Sequence, residues 1–137
     1  MTQSRQILAL DIGKVRIGVA IADTKIGIAV PIETIAMNEA TFRSDIVDLV
    51  VQHTVAAIVV GYPRNQQGVT TQQTAYVEAM AEQLSDMDVD VVFQDESLTS
   101  VTAKERLGVS HTRTARKDKI DAEAAAIILQ DYLDMHR

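Results

Sequence analysis

The first part of the chain is dominated by short apolar runs rich in β-branched residues. Residues 6–11 and 16–22 form two such runs, separated by Ile12-Gly13-Lys14-Val15, and residues 28–35 form a third. Runs of this length between turn residues predict strands, and a short connection between two of them predicts a hairpin. We therefore expect three strands that pair antiparallel.

The middle of the chain alternates between helical and strand patterns. Apolar residues recur at i, i+3, i+4 and i+7 over residues 41–54 and again over residues 70–84, which predicts two amphipathic helices. Residues 56–60 form an apolar strand between these helices, and residues 89–93 form another that ends at Gln94-Asp95-Glu96. Strands separated by helices need crossover connections, so these two are expected to be parallel to a neighbour.

The last part of the chain has a weaker pattern. A short helix is predicted over residues 101–107, before Gly108, and a closing helix from Ile120 to about Leu133. Residues 108–117 lack periodicity and are predicted to form a mobile loop, while Pro31 and Pro63 are predicted to lie at turns. The element order βββαβαβα indicates an α/β fold with a mixed five-stranded sheet and helices on both faces.

Composition narrows the class of protein. With 137 residues, the chain has the length of a single domain, which we expect to span residues 1–137. The absence of cysteine excludes disulfides, zinc–thiolate sites and a thiol nucleophile. The longest apolar run, residues 55–60, is too short to span a membrane, and the first residues lack a signal-peptide pattern. We therefore expect a cytoplasmic protein.

Positive charge is concentrated in one segment, although the formal net charge is −6. Residues 104–119 contain six basic and two acidic residues, a balance of +4, whereas the rest of the chain has seven basic and seventeen acidic residues, a balance of −10. Such a segment is either a solvated basic loop or a surface that contacts phosphates.

Three acidic residues are placed where they could meet. Asp11 interrupts the apolar face that Ile7 and Ala9 begin, Glu96 follows the last strand, and Asp121 is expected in the first turn of the closing helix. Structural alternatives exist for each: a turn cap, a helix N-cap and an acid favoured by the helix dipole. If the three converge, they form the oxygen-rich site that Mg²⁺ or Mn²⁺ requires, and two such ions about 4 Å apart can promote phosphodiester hydrolysis.

Four segments resemble the YqgF family, also called RuvX, of RNase H-like nucleases. They are residues 10–20 (LDIGKVRIGVA), 59–68 (VVGYPRNQQG), 95–100 (DESLTS) and 119–125 (KIDAEAA). The resemblance implies an RNase H-like fold and a metal-dependent endonuclease of structured nucleic acid, with Mg²⁺ or Mn²⁺ held by the following residues: Asp11, Glu96 and Asp121. It further implies processing of the pre-16S rRNA end, or resolution of Holliday junctions in DNA. Its positively charged groups would be Lys14, Arg16 and Lys119.

Two positions depart from the family pattern. Ser97 stands where the family usually has arginine, which removes an expected phosphate contact, and Asp118 stands where glycine is frequent. Asp118 lies three residues before Asp121, so it is either a fourth acid that assists a metal, as in related junction resolvases, or the N-cap of the closing helix.

Several further residues are candidates for contact with nucleic acid. Arg64 and Asn65 follow Gly61 in a polar loop before a predicted helix start, and Tyr62 is the aromatic residue best placed for base stacking. The basic segment adds Arg113, Arg116, Lys117 and Lys119. A nonenzymatic RNA-binding factor in ribosome maturation or transcription is the alternative function. A nucleotide-phosphate site like that of the two-domain sugar kinases is disfavoured by length, and the patterns leave monomer and dimer open.

Overall fold

A computed structural model of the chain describes residues 4–63, 72–95 and 113–136, with side chains from residue 120 onward in the last range. Five strands and three helices lie within these ranges. The strands are β1 (Gln6–Ile12), β2 (Arg16–Asp23), β3 (Val30–Ala36), β4 (Val55–Tyr62) and β5 (Asp90–Asp95). The helices are α1 (Phe42–His53), α2 (Gln72–Glu82) and α3 (Arg113–Met135).

The strands form one five-stranded sheet in the order β3-β2-β1-β4-β5. β1 pairs antiparallel with β2, and β2 with β3, whereas β4 is parallel to both β1 and β5. The predicted mixed sheet is therefore confirmed. β1 lies at its centre, where the antiparallel hairpin meets the parallel strands.

Helices cover both faces, and the two faces have different side chains. One face, which we call the α1/α2 layer, buries large residues: Leu8, Leu10 and Ile12 of β1, Phe42 and Ile46 of α1, and Val77 and Met80 of α2. The other face, the α3 layer, is rich in alanine: Ala9, Ala20, Ala22 and Ala57 of the strands, with Ala125, Ala126, Ile128 and Leu129 of α3. Because side chains alternate along a strand, β1 contributes to both layers.

The C-terminal helix differs from its prediction. It begins at Arg113, so the prediction of a loop is wrong for residues 113–117. The first turns of α3 contain no apolar periodicity, which hid them, but arginine, lysine and alanine have high intrinsic helix propensity. The short helix predicted over residues 101–107 lies outside the described ranges.

Pro31 also differs from its prediction, because it lies inside β3 instead of at a turn. β3 is an edge strand, and its pairing with β2 shifts register between Val19 and Ala20, next to the Ala20–Pro31 pair. An edge position with an irregular register tolerates a residue that has no N–H to donate.

A glutamine side chain attaches α3 to the turn between β2 and β3. The Gln130 Nε2 atom donates to the carbonyl of Gly27 at 3.1 Å, and its Oε1 accepts from the amide of Ala29 at 3.0 Å. The two bonds satisfy turn backbone groups and thereby locate the C-terminal half of α3. No helix within the described ranges combines the length and the apolar character of a membrane-spanning segment.

Candidate functional site

Asp11 lies near the carboxyl end of the central strand, on the side of the sheet that α3 covers. It follows Ala9 at the strand period of two, and Ala9 belongs to the α3 layer. In the antiparallel pairing of β1 with β2, Asp11 is opposite Gly18. Directly opposed residues present their side chains on the same face, so the partly buried Asp11 and the position of Gly18 face α3 together.

At Gly18 the backbone of α3 lies directly against the sheet. A Cβ atom built at Gly18 would lie 1.8 Å from the carbonyl oxygen of Asp121 and 2.3 Å from its carbonyl carbon. Any side chain at this position would therefore overlap the helix backbone. The missing side chain lets the Asp121 segment rest directly on β2, across from Asp11.

Arg16 fixes the side chain of Asp121. It begins β2 two residues before Gly18, on the same face, and its Nε donates to the Asp121 Oδ2 at 2.6 Å. The side chains of Arg16 and Asp121 are 32% and 24% exposed, so water screens this ion pair only in part. Residues 105 positions apart in the sequence are joined by this contact.

The observed start of α3 changes the interpretation of two acids. The sequence predicts Asp121 in the first turn and offers Asp118 as the N-cap, but the helix begins at Arg113, more than one turn before either residue. A favourable interaction with the N-terminal dipole decays within the first turn, so the dipole interpretation of Asp121 is wrong, and Asp118 is not an N-cap. Asp118 lies in α3 three positions before Asp121.

Besides Arg16, the candidate phosphate-binding cations within the described ranges fall in two places. Lys14 is exposed in the turn between β1 and β2, with its Nζ 5.8 Å from the centre of the Tyr76 ring of α2. Burial, and secondarily the charge of Glu39, raises the pKa of the Tyr76 hydroxyl, so the ring under Lys14 stays neutral. The remaining cations occupy the first two turns of α3, before Asp121: Arg113, Arg116, Lys117 and Lys119.

The other candidates lie at the ends of β4 and β5. Arg64, Asn65, Glu96 and Ser97 are outside the described ranges. Tyr62 ends β4, where its ring contacts Phe93 edge-on at 5.0 Å and its hydroxyl donates to Glu78. Since β4 and β5 are both parallel to β1, their carboxyl ends lie at the same edge of the sheet as Asp11.

The donor chemistry of this edge suits a hard divalent cation. Asp11 and Asp121 offer carboxylate oxygens, the ligands that Mg²⁺ and Mn²⁺ prefer. Among the side chains that the structure describes, no group of three histidines or acids is close enough to hold a metal ion. The described part of the chain thus supplies two acids, and Glu96, which directly follows the end of β5, is the third candidate.

Sequence reasoning missed Gly18 and the pairing of Arg16 with Asp121. A glycine inside a strand pattern is a signal of close backbone approach, so Gly18 could have been singled out. The ion pair has no comparable signal, because it depends on how a helix near residue 121 docks on a strand formed 105 residues earlier.

Comparison with solved structures identifies the fold. A Thermus thermophilus RuvC in complex with a Holliday junction substrate superposes with a TM-score of 0.56 over 96% of this chain and 95% of that chain, at 14% identity. RuvC from the same organism, in a second structure, gives a TM-score of 0.55 at 11% identity. At such low identity the match establishes the RNase H-like fold alone.

Sequence comparison reaches further. Proteins named "Putative pre-16S rRNA nuclease" are 43% identical in Chloroflexus aurantiacus, over 96% of this chain and 88% of that protein, and 37% identical in a Sulfurihydrogenibium species, over 94% and 90%. The family model described as RuvX, Holliday junction resolvase, matches residues 5–135. The chain therefore belongs to the RuvX family of nucleases.

Proposed function

We propose that this chain is a divalent-metal-dependent endonuclease that hydrolyses phosphodiester bonds of structured nucleic acid, with the end of pre-16S rRNA as its substrate. The observation that supports this proposal most strongly is the approach of α3 to Gly18, which puts Asp121 across from Asp11 on one face of the sheet. Two carboxylates on the same face of the sheet offer the oxygen ligands that a hard divalent cation prefers, so the arrangement is suited to cation binding.

The proposed cation ligands are Asp11, Asp121 and Glu96, with Asp118 as a further candidate. Bound Mg²⁺ or Mn²⁺ would supply Lewis-acid activation of water and charge stabilisation at the scissile phosphate. The protein's contribution is to hold the carboxylates ready. The backbone contact at Gly18 fixes the Asp121 Cα, Arg16 fixes its carboxylate, and the central strand fixes Asp11.

Substrate would be held by cations at the β1–β2 turn and in the part of α3 that precedes Asp121. Lys14 and Arg16 lie in or next to the β1–β2 turn, and the first turns of α3 add four basic residues: Arg113, Arg116, Lys117 and Lys119. Arg64 and Asn65 are the proposed contacts in the loop after β4. Phosphate contacts give affinity without sequence information, so binding should weaken steeply with salt and depend on the shape of the substrate.

The RNA substrate is favoured by the names of the full-length relatives, whereas the description of the family model favours a DNA junction. Both substrates have exposed phosphodiesters in a branched or folded context, and the same acids would serve either. We place pre-16S rRNA first because relatives that are 37% and 43% identical over nearly the whole chain carry that name.

The experiment compares a labelled pre-16S rRNA fragment and a labelled four-way DNA junction, each with Mg²⁺ and with Mn²⁺. Wild type, Asp11→Asn and Asp121→Asn are assayed beside Asp88→Asn, which changes an exposed acid in the turn before β5. That turn is at the amino end of β5, the edge of the sheet opposite Asp11, so Asp88→Asn controls for the loss of one negative charge.

We expect metal-dependent cleavage of the RNA by wild type and by Asp88→Asn, and loss of at least about 100-fold in either site variant. Cleavage of the junction but not of the RNA would make branched DNA the substrate in place of pre-16S rRNA. Salt-sensitive binding without cleavage, unchanged in Asp11→Asn, would contradict an enzyme and support a nonenzymatic RNA-binding factor.

A further inference from the structure

Arg16 forms an ion pair with Asp121, which is one of the acids of the proposed cation site. We propose that Arg16 is the counter-charge of Asp121: it fixes one carboxylate oxygen and opposes the binding of a cation at the other. This inference rests on the proposed function, because it concerns the cation which that function needs. It makes Arg16 a positioning residue that sets metal affinity.

The position of Arg16 follows from the strand that carries it. Arg16 and Gly18 are two residues apart in β2 and therefore face α3 together. Gly18 holds the backbone of Asp121 against β2, which leaves the carboxylate only its side-chain torsions. The bond of 2.6 Å from the Arg16 Nε to the Asp121 Oδ2 then fixes those torsions.

The charge of Arg16 matters because two acids share this face. Asp121 lies over Gly18, and Asp11 is the direct strand partner of Gly18. Two carboxylates in such a place repel each other, and a guanidinium beside one of them offsets that repulsion while no cation is bound. With Arg16 32% and Asp121 24% exposed, solvent screening reduces this interaction less than it would at an open surface.

A bound cation and Arg16 can hold Asp121 at the same time. Arg16 takes Oδ2, and a carboxylate has a second oxygen that can accept a cation. Two effects of Arg16 then oppose each other. By orienting the Asp121 carboxylate, Arg16 favours cation binding, because the entropy of one or two side-chain torsions is already lost. The positive charge of Arg16 disfavours binding, because it repels a doubly charged ion. We expect the repulsion to be the larger effect, so that Arg16 lowers the affinity of the site for the cation.

The test measures Mn²⁺ binding by isothermal titration calorimetry on the full chain, without nucleic acid, so that the readout is independent of cleavage. Arg16→Gln removes the charge but keeps a polar side chain, and Arg16→Lys keeps the charge without the planar Nε contact. We expect Arg16→Gln to bind Mn²⁺ about tenfold more tightly than wild type, and Arg16→Lys to stay within about threefold of it.

A matched control exists on the other side of the sheet. The Arg43 Nη1 atom of α1 pairs with the Asp86 Oδ1 at 2.6 Å, the same separation as in the Arg16 pair. Arg43→Gln removes one positive charge and one ion pair away from the two acids. Its dissociation constant for Mn²⁺ should equal that of wild type, which separates the local effect from the change in net charge.

The outcomes distinguish this inference from the proposed function. Mn²⁺ binding that is unchanged or weaker in Arg16→Gln than in wild type overturns the inference and leaves the metal site standing. Binding by Arg16→Gln but not by wild type supports the inference in its strongest form. Absence of binding in wild type and in both Arg16 variants refutes the metal-dependent function, and the inference falls with it.

A second measurement covers the case in which Arg16→Gln folds poorly. The thermal unfolding midpoint in a chelator is compared for wild type, Arg16→Ala, Asp121→Asn and the double variant that combines both substitutions. Because Arg16 and Asp121 are in contact, we expect the combined variant to lose less than the sum of the single losses. Additive losses would show that the two side chains do not act as a pair and would overturn the inference.

Discussion

The two faces of the sheet are built on opposite principles. The α1/α2 layer fills the space between helices and sheet with bulky side chains such as Leu8, Phe42 and Ile46, all fully buried. The α3 layer uses alanines, and at Gly18 no side chain at all, so that the helix backbone meets the strand. Large apolar side chains contribute most of the burial free energy, whereas small ones bring the backbones together.

This difference assigns a separate task to each face. A substitution in the α1/α2 layer creates a cavity or a steric overlap, to which neighbouring side chains can partly adjust. A substitution at Gly18 moves the backbone that carries Asp121, and no side-chain rotation can restore the position of that backbone. Substitutions in the α1/α2 layer should therefore lower stability without moving the acids, whereas a substitution at Gly18 should also displace Asp121.

Gly18→Ala should have the largest effect, because it breaks the close contact of the α3 layer. The new Cβ would lie 1.8 Å from the Asp121 carbonyl oxygen, well inside the 3.0 Å that real Cβ contacts keep. Relief requires a shift of α3 by more than about 1 Å, which we expect to cost about 3 kcal/mol of unfolding free energy and on the order of 100-fold in cleavage rate. Chemical denaturation and a cleavage assay at matched folded concentration measure the two losses, and retention of wild-type activity would refute the contact's role.

Ile46→Ala tests the other face and should lower stability without harming the site. Ile46 is fully buried between α1 and the sheet, so truncation leaves a cavity that costs about 3 kcal/mol. Cleavage per folded molecule, measured well below the lowered melting temperature, should match wild type. A loss of cleavage rate as large as that expected for Gly18→Ala would contradict the proposed difference between the two faces.

Thr54→Gly should have the smallest effect, and it should be stabilising. Thr54 follows α1 as its C-cap and adopts the left-handed region, with φ of 52° and ψ of 52°, which is strained for a β-branched residue. Glycine relieves the strain but gains freedom in the unfolded chain, so the net gain is about 0.5 to 1 kcal/mol. Thr54→Val keeps the branched side chain and serves as the control. Denaturation midpoints report the gain, and equal midpoints for both variants would contradict it.

Most of the sheet could be predicted because its signals are local. β1, β2 and β4 are apolar segments bounded by turn residues, and the alternation of strands and helices then restricts their pairing. Because proline is rare in strands, the sequence predicts a turn at Pro31, and the edge position of β3 explains the exception. The start of α3 escapes prediction because its first turns are polar and show no apolar periodicity.

The site was harder to predict than the fold because its geometry is not local. Asp11 could be selected as an acid within an apolar strand, and its place on the α3 side agrees with the pattern of Ile7 and Ala9. The contact between Gly18 and Asp121 depends on how closely a helix rests on a strand, which no sequence period encodes. The partner of Arg16 could not be inferred, since an arginine beside an acid at a turn is equally suited to phosphate or carboxylate.

The separation of 105 residues between Arg16 and Asp121 also has a consequence in time. At a ribosomal rate of about 5 to 20 residues per second, α3 is synthesised roughly 5 to 20 s after the hairpin that contains Asp11 and Arg16. During that interval a growing chain has one acid of the pair without the other. Under the proposed function, the chain would thus emerge beside the RNA-rich ribosome without its complete acid pair, and would acquire that pair only when α3 docks.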